Sequence, residues 1–93
     1  MPKKFRKPKE EKVSQAIVYV SLKEGVLDPQ GLTIQRALED LGYRGIKEVR
    51  SGKFYRIKLN SQSSQKTREL VSEISNKLLA NPVIETFEIE VPK

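Results

Sequence analysis

Hydrophobic and polar positions alternate from Val13 to Leu22, which is the pattern of a β-strand in a sheet. The apolar side chains on one face of this strand are Ala16, Val18, Val20 and Leu22. The opposite face is also partly apolar, at Ile17 and Tyr19. That second face predicts either a central strand covered on both sides or a sheet surface used in assembly.

Two later segments have the helical spacing of apolar residues, which is three and four positions. The first helix is predicted to begin at Asp28, a capping residue followed by proline, and to end at Gly42. The second runs from about residue 63 or 64 to Ala80, because Pro82 pushes the preceding residue out of the helical region. Their apolar stripes are Ile34, Ala37, Leu38 and Leu41, and then Leu70, Val71, Ile74 and Leu78.

The remaining segments have the alternation of strands. Residues 46–60 contain two short extended pieces separated by Ser51-Gly52, which predicts a hairpin or a bent strand. In the second piece Tyr55, Ile57 and Leu59 alternate with Phe54, Arg56 and Lys58, so that one face is packed and the other is largely basic. A final strand has Val83, Phe87, Ile89 and Val91 on one side and Thr86, Glu88 and Glu90 on the other.

The order β-α-β-β-α-β predicts an α+β fold, a two-layer ferredoxin-like sandwich with both helices on one face of an antiparallel sheet. The other sheet face is then left without a cover. A one-sided core in a chain of 93 residues is close to the lower limit for stability, so we expect at least a dimer.

Charge divides the chain into two parts. Residues 1–12 hold six Lys/Arg and two Glu, and we predict that they form a flexible basic tail. Residues 13–93 hold twelve basic and ten acidic side chains and form the single predicted domain. Most of the net charge of +6 therefore belongs to the tail, for which solubility is the simplest role and an anionic partner the alternative.

Reactive side chains are scarce in this sequence. Histidine and cysteine are both absent, which removes the usual general base, the commonest metal ligands and thiol nucleophiles. The glycines match no phosphate-binding loop, and the acidic residues show no catalytic pair. We predict no catalytic residue, no metal site and no cofactor held by this chain alone. No apolar run is long enough for a membrane span or a secretory signal, which predicts a cytoplasmic protein.

A cluster of basic residues leaves a second function open. Six lie within residues 44–58, opposed only by Glu48: Arg44, Lys47, Arg50, Lys53, Arg56 and Lys58. An RNA-binding sheet normally adds exposed aromatic side chains for stacking, and Phe54 is the one expected on the outer face here. A small basic RNA-binding protein is therefore the alternative hypothesis. A third, an autonomous small enzyme, is disfavoured by the missing histidine and cysteine.

Two segments have residue identities more specific than a turn alone would need. They are residues 22–31, LKEGVLDPQG, and residues 78–85, LLANPVIE. They resemble the patterns of the PurS family, the small subunit of phosphoribosylformylglycinamidine (FGAM) synthase. The shorter LGY at 41–43 and VRSGK at 49–53 are also similar to elements of that family. The resemblance covers residues 13–91, whereas the basic tail departs from the family pattern, which usually starts close to the first strand.

The resemblance implies a non-catalytic subunit of FGAM synthase, which acts in de novo purine synthesis. This enzyme converts formylglycinamide ribonucleotide (FGAR) to the amidine with ATP, magnesium and glutamine. The small subunit would bridge a glutaminase subunit and a large synthetase subunit and help ammonia pass between them. In isolation it would be a homodimer or a homotetramer.

The resemblance also implies which residues contact partners. Carried over by position, the interface residues are Asp28, Pro29, Gln30, Gly31, Asn81 and Pro82. Arg50 and Lys53 could contact a partner or a phosphate. Local roles compete with this interpretation, since Asp28 can cap a helix, Pro29 can start one and Pro82 can stop one. For the two basic residues the competing interpretation is a solvated hairpin.

Overall fold

The computed structural model describes residues 13–60 and 63–92. The predicted tail, residues 1–12, lies outside the described part. The strands are β1 (Val13–Leu22), β2 (Gly52–Asn60) and β3 (Glu85–Glu90). The helices are α1 (Pro29–Asp40) and α2 (Ser64–Ile74), and α2 continues into a π-helical turn, Ser75–Leu79.

The three strands form one antiparallel sheet in the order β2-β1-β3. In its register Ile17 of β1 lies between Arg56 of β2 and Glu90 of β3. Because side chains alternate between the two faces of a strand, this register places every second residue of each strand on the same face. The sheet therefore has an inner face that packs on α2 and an outer face without a helix in the described part of the chain.

The hydrophobic core lies between the inner face and α2. Its buried members are Ala16, Val18, Val20, Val71 and Ala80. Partly buried side chains from β2 and β3, among them Tyr55 and Phe87, pack against them. The Ser75 hydroxyl is buried as well and donates to the Val71 carbonyl at 2.8 Å, so that this polar group has a partner inside the core.

The predicted fold class, an α+β fold with an antiparallel sheet and two helices, is confirmed. The number of strands is corrected from four to three, because residues 46–50 form no strand. Gly52, the first residue of β2, pairs with Ser21, which is the last residue but one of β1. The segment before Gly52 thus extends past the end of its neighbour and has no strand to pair with.

The position of α1 is the second correction, since the prediction placed both helices on the sheet. No residue of Pro29–Asp40 belongs to the hydrophobic core. Ile34 and Leu41, from its predicted apolar stripe, are 41% and 74% exposed. α1 instead contacts the extended segment that follows it, where the Gln35 side-chain amide donates to the Lys47 carbonyl at 3.4 Å. We call residues 29–50 the arm.

The end of the second helix also differs in detail from its prediction. The α-helical pattern ends at Ile74, and the π-helical turn ends with the Ala80 N–H bonded to the Ser75 carbonyl at 3.0 Å. Such a turn uses more residues than an α-helical turn and so rotates the residues that follow. Within residues 13–60 and 63–92, no helix is long and apolar enough to cross a membrane.

Candidate partner interface

The structure brings the two motif segments to the same end of the sheet. The Lys23 N–H donates to the Ile84 carbonyl at 2.8 Å, which joins the loop after β1 to the loop before β3. Asp28, Pro29 and Gln30 border the same groove as Glu85. Segments that are more than forty positions apart in the sequence therefore form one surface.

Asp28 holds the arm to the sheet. The residue is 5% exposed, and its carboxylate accepts hydrogen bonds from the Gly31 N–H at 3.0 Å, the Ser51 hydroxyl at 2.8 Å and the Ser51 N–H. The hydrogen bonds from Gly31 and Ser51 lower the pKa of Asp28, and the charge of Arg50 adds to this effect. The predicted cap is confirmed, but the same carboxylate also fixes the start of β2 against the start of α1.

Gly31 allows the close approach on which this contact depends. A β-carbon at this position would collide with the Val49 carbonyl oxygen and lie 2.7 Å from the Asp28 carboxylate. Gly31 is buried, and only a residue without a side chain fits between the two. Pro29 occupies the first turn of α1, where its missing N–H costs no hydrogen bond, as predicted.

A groove of about 450 Å³ runs between the start of the arm and the end of the sheet. Asp28, Pro29 and Gln30 line one side, and Lys53 and Glu85 line another. The Lys53 ammonium lies 3.9 Å from the Glu85 carboxylate and 5.9 Å from the centre of the Tyr55 ring. Asp28, Pro29, Gln30 and Lys53, four of the residues singled out from the sequence, thus share one groove.

Replacing Lys53 with alanine is expected to change the free energy of unfolding by less than about 0.5 kcal/mol, because exposed ion pairs contribute little. The Lys53 side chain is 53% exposed and its distance to Glu85 is long for a salt bridge. Urea denaturation of both proteins measures the difference. A loss of several times this size would show that Lys53 has a structural role.

Arg50 and Lys53 lie at the start of β2 and already have partners within the chain. The Arg50 guanidinium donates to the Lys23 carbonyl at 3.2 Å, which supports the loop that follows β1. Arg50 and Lys53 also border a second groove, together with Phe54 on the outer face. The hairpin expected around them is not present, so they flank the end of the sheet instead.

Asn81 organises the loop before β3. Its side-chain oxygen accepts a hydrogen bond from the Val83 N–H at 2.9 Å, and its own N–H donates to the Glu85 carboxylate at 2.7 Å. The Asn81 carbonyl accepts from Ile84 and Glu85. These bonds make a tight turn with Pro82 exposed at its surface.

Three apolar side chains at this end of the protein are unusually exposed. They are Leu27 at 71%, Leu78 at 79% and Val83 at 76%. The apolar pattern predicted Leu78 on one stripe of the second helix and Val83 on one side of the final strand. Both side chains are instead exposed, and Val83 precedes β3. The π-helical turn rotates Leu78 away from the core, and Val83 lies in the turn before β3 begins. The sequence signal that could have indicated their exposure is their position inside the two motif segments, residues 22–31 and 78–85.

Reactive groups are sparse in the structure too. Over residues 13–60 and 63–92, His, Cys, Asp and Glu form no group of three or more that could hold a metal ion. What this end presents is hydrogen-bonded backbone, a shallow groove and exposed apolar side chains. Such a surface is suited to docking another protein.

Comparison with known proteins decides the family. The PurS family, described as "Phosphoribosylformylglycinamidine (FGAM) synthase", matches residues 15–93. The chain belongs to the PurS family. The resemblance found in residues 22–31 and 78–85 is thereby confirmed.

Relatives of this PurS-family chain match it over most of its length. The FGAM synthase subunit PurS of Methanocaldococcus jannaschii is 48% identical over 79 residues, which is 85% of this chain and 95% of the relative. The PurS subunit of Bacillus subtilis is 47% identical over 74 residues, 80% of this chain and 87% of the relative.

Solved PurS structures share the fold. The crystal structure of M. jannaschii PurS, described as a subunit of formylglycinamide ribonucleotide amidotransferase, has a TM-score of 0.77 and covers 86% of this chain and 96% of its own. A chain from the structure of PurLQS from Thermotoga maritima is 30% identical, has a TM-score of 0.78 and covers 87% of this chain and 99% of its own.

Proposed function

We propose that this chain is the non-catalytic small subunit of an FGAM synthase complex. That complex converts FGAR, ATP and glutamine to FGAM in de novo purine biosynthesis. The observation that carries the proposal is the 48% identity to a PurS subunit of FGAM synthase over almost the whole length of that relative. The T. maritima homologue was solved as part of PurLQS, which supports a role within an assembly.

In this proposal the chain bridges a glutaminase subunit and a large synthetase subunit and helps ammonia pass between them. The end surface with Leu27, Leu78 and Val83 supports the docking part, because exposed apolar side chains beside a polar rim are typical of protein interfaces. ATP and magnesium are then used by the complex, in the cytoplasm.

The chain is expected to be required for glutamine-dependent turnover but not for ammonia-dependent turnover. Bridging raises the effective concentration of the two active sites relative to each other, so omitting the chain should lower glutamine-dependent FGAM formation by about tenfold or more. FGAM formation is measured with glutaminase and synthetase subunits of the same organism, with and without this chain.

Ammonium chloride in place of glutamine is the matched control, because ammonia from solution needs no transfer between subunits. Turnover with ammonium chloride should be nearly unchanged by omitting the chain. Equal glutamine-dependent rates with and without the chain would contradict the proposal. FGAM formation by the chain alone would contradict its non-catalytic role.

Self-association is a second part of the proposal, as a homodimer or a homotetramer of the isolated chain. Two apolar surfaces of the described protein support it. One is the arm, where Ile34, Leu41 and Tyr43 are 41%, 74% and 59% exposed. The other is the outer sheet face, where Tyr19 and Phe54 are 44% and 57% exposed. A chain of this size gains stability by burying such surfaces.

The RNA-binding alternative is not favoured by the structure. Tyr19 joins Phe54 on the outer face, with the two ring centres 6.1 Å apart, so that two aromatic side chains are available where one was expected. Glu88 and Glu90 lie on the same face, however, and the Tyr19 hydroxyl donates to Glu90 at 2.7 Å. Carboxylates beside a stacking platform repel a phosphate backbone.

A further inference from the structure

A cavity of about 390 Å³ lies at the end of the sheet opposite the arm. It forms where three elements meet: the first residues of β1, 13–15, the start of α2 at Ser64 and Thr67, and Val91 and Pro92 after β3. None of these lining residues carries a charge. The two motif segments lie at the other end of the sheet, so the cavity is separate from the candidate partner interface.

The hydroxyl of Thr67 is the first feature that points to a ligand. Thr67 is fully buried, and its hydroxyl has no hydrogen-bond partner in the described part of the chain. The other buried hydroxyl of this helical segment, that of Ser75, turns back to the Val71 carbonyl at 2.8 Å. Thr67 does not make the corresponding bond to the Ser63 carbonyl. Buried hydroxyls are normally paired, so an acceptor in the cavity would supply the partner that the chain does not.

The start of α2 adds backbone donors. Ser63 caps the helix, because its side-chain oxygen accepts from the Lys66 N–H at 3.1 Å and its carbonyl accepts from the Thr67 N–H at 2.9 Å. Ser64 and Gln65 come before these bonds, and the N–H groups of a first helical turn have no acceptor within the helix. Such groups point out of the N-terminal end, and Ser64 lines the cavity.

The charges around this helix start favour an anion. α1 begins at the carboxylate of Asp28, whereas the first turn of α2 contains no acidic residue and holds Lys66 instead. Arg68 follows, and its guanidinium donates to the Ile89 carbonyl at 3.0 Å, close to the end of β3. The partial positive charge of a helix N-terminus therefore has no carboxylate near it in the sequence to balance it.

We propose that this cavity binds a phosphate group, which accepts hydrogen bonds from the Ser64 N–H and the Thr67 hydroxyl. A phosphate has at least three acceptor oxygens in a tetrahedral arrangement, so it can reach a backbone donor and a side-chain donor at the same time. The cavity is within the range of about 300–1,000 Å³ found for small-molecule sites, so the phosphate can be a free ion or part of a phosphorylated small molecule. This site is independent of the proposed role in FGAM synthase.

A titration of the full ¹⁵N-labelled chain with sodium phosphate tests the site. We expect saturable shifts of the Ser64 and Gln65 amide signals, with a dissociation constant below about 10 mM, since a few hydrogen bonds from neutral donors hold an ion weakly. Sodium chloride keeps the ionic strength constant, so that screening alone does not move the signals.

Thr67→Val removes the hydroxyl and keeps the shape of the side chain. We expect the dissociation constant for phosphate to rise by at least about tenfold. Without phosphate the variant should melt at the same temperature as the original protein or higher, because no protein group loses a hydrogen bond. Thr33→Val is the matched control on α1, where the exposed hydroxyl donates to the Pro29 carbonyl, and should bind phosphate unchanged.

Ser64→Pro tests the backbone donor. Proline at the first helical position lacks the N–H and suits the helix start, and Ser63, with ψ at 154°, has the conformation that precedes a proline. Binding should weaken by at least about tenfold, because the amide donor is lost. Ser64→Ala retains the N–H and should weaken binding less than Ser64→Pro does.

The source of the phosphate group is distinguished by titrating inorganic phosphate and ribose 5-phosphate separately. Tighter binding of ribose 5-phosphate supports a phosphorylated small molecule, and tighter binding of inorganic phosphate supports the free ion. No saturable shift with either compound up to about 50 mM would overturn the proposal. Shifts that Thr67→Val and Ser64→Pro leave unchanged would overturn it as well. None of these measurements involves another subunit, so the role in FGAM synthase is tested separately.

Discussion

Replacing Gly31 with alanine is expected to lower the free energy of unfolding by about 1–3 kcal/mol, the usual cost of forcing an added methyl group into a packed site. The new β-carbon would collide with the Val49 carbonyl oxygen and press on the Asp28 carboxylate. Neither atom can yield easily, because one belongs to the backbone and the other is fixed by three hydrogen bonds. Urea denaturation measures the change.

Gln30→Ala is the matched control for Gly31→Ala. Gln30 lies on the same turn of α1 and is exposed, so its replacement should change stability by no more than about 0.5 kcal/mol. Since alanine favours helices more than glycine does, a purely local effect would make Gly31→Ala stabilising. Equal or greater stability of that variant would therefore show that α1 and residue 49 are not in close contact.

Replacing Asp28 with alanine is expected to lower the melting temperature by about 5–10 °C at neutral pH. The substitution removes the cap of α1 and leaves the Ser51 N–H and hydroxyl without their acceptor. The arm then loses its attachment to the start of β2. Asp40→Ala, at the exposed C-terminal end of α1, is the control and should melt within about 2 °C of the original protein.

The contribution of Asp28 should also depend on pH. Its pKa is lowered in the folded protein, so the unfolded chain binds the proton more tightly than the folded protein does. The stabilisation is therefore fully present above the unfolded pKa of about 3.9 and is lost as the pH falls through the lower folded value. The melting temperatures of the original protein and Asp28→Ala should converge as the pH falls below about 4. A constant difference over that range would contradict the assignment.

Local signals in the sequence predicted several features correctly. Asp28 followed by Pro29 marked the start of α1, and the alternation from Val13 to Leu22 marked β1. The motif segments at 22–31 and 78–85 indicated the PurS family. Each of these features depends on residues that are adjacent in the chain, or on a pattern whose period is set by the backbone.

Some positions in the candidate site could be predicted only in part. The sequence indicated that Asp28 caps a helix, but the carboxylate also binds Ser51, twenty-three positions later. Leu78 and Val83 have the identity of core residues and are instead exposed. The identity of an apolar residue does not show whether its side chain packs in the core of its own chain or is exposed at a surface that binds another chain.

The sequence by itself determined the class of the fold, the starts of β1 and α1 and the family, because these follow from backbone periodicity, capping chemistry and motif identity. Only the tertiary structure decided that residues 46–50 form no strand and that α1 contacts the segment around Lys47 instead of the sheet. The reason is that a strand needs a neighbour and an amphipathic helix needs an apolar surface. A neighbouring strand is missing for residues 46–50 because β1 ends beside Gly52. The place of α1 depends on the close approach of Gly31 to Val49. Both depend on segments that are distant in the chain.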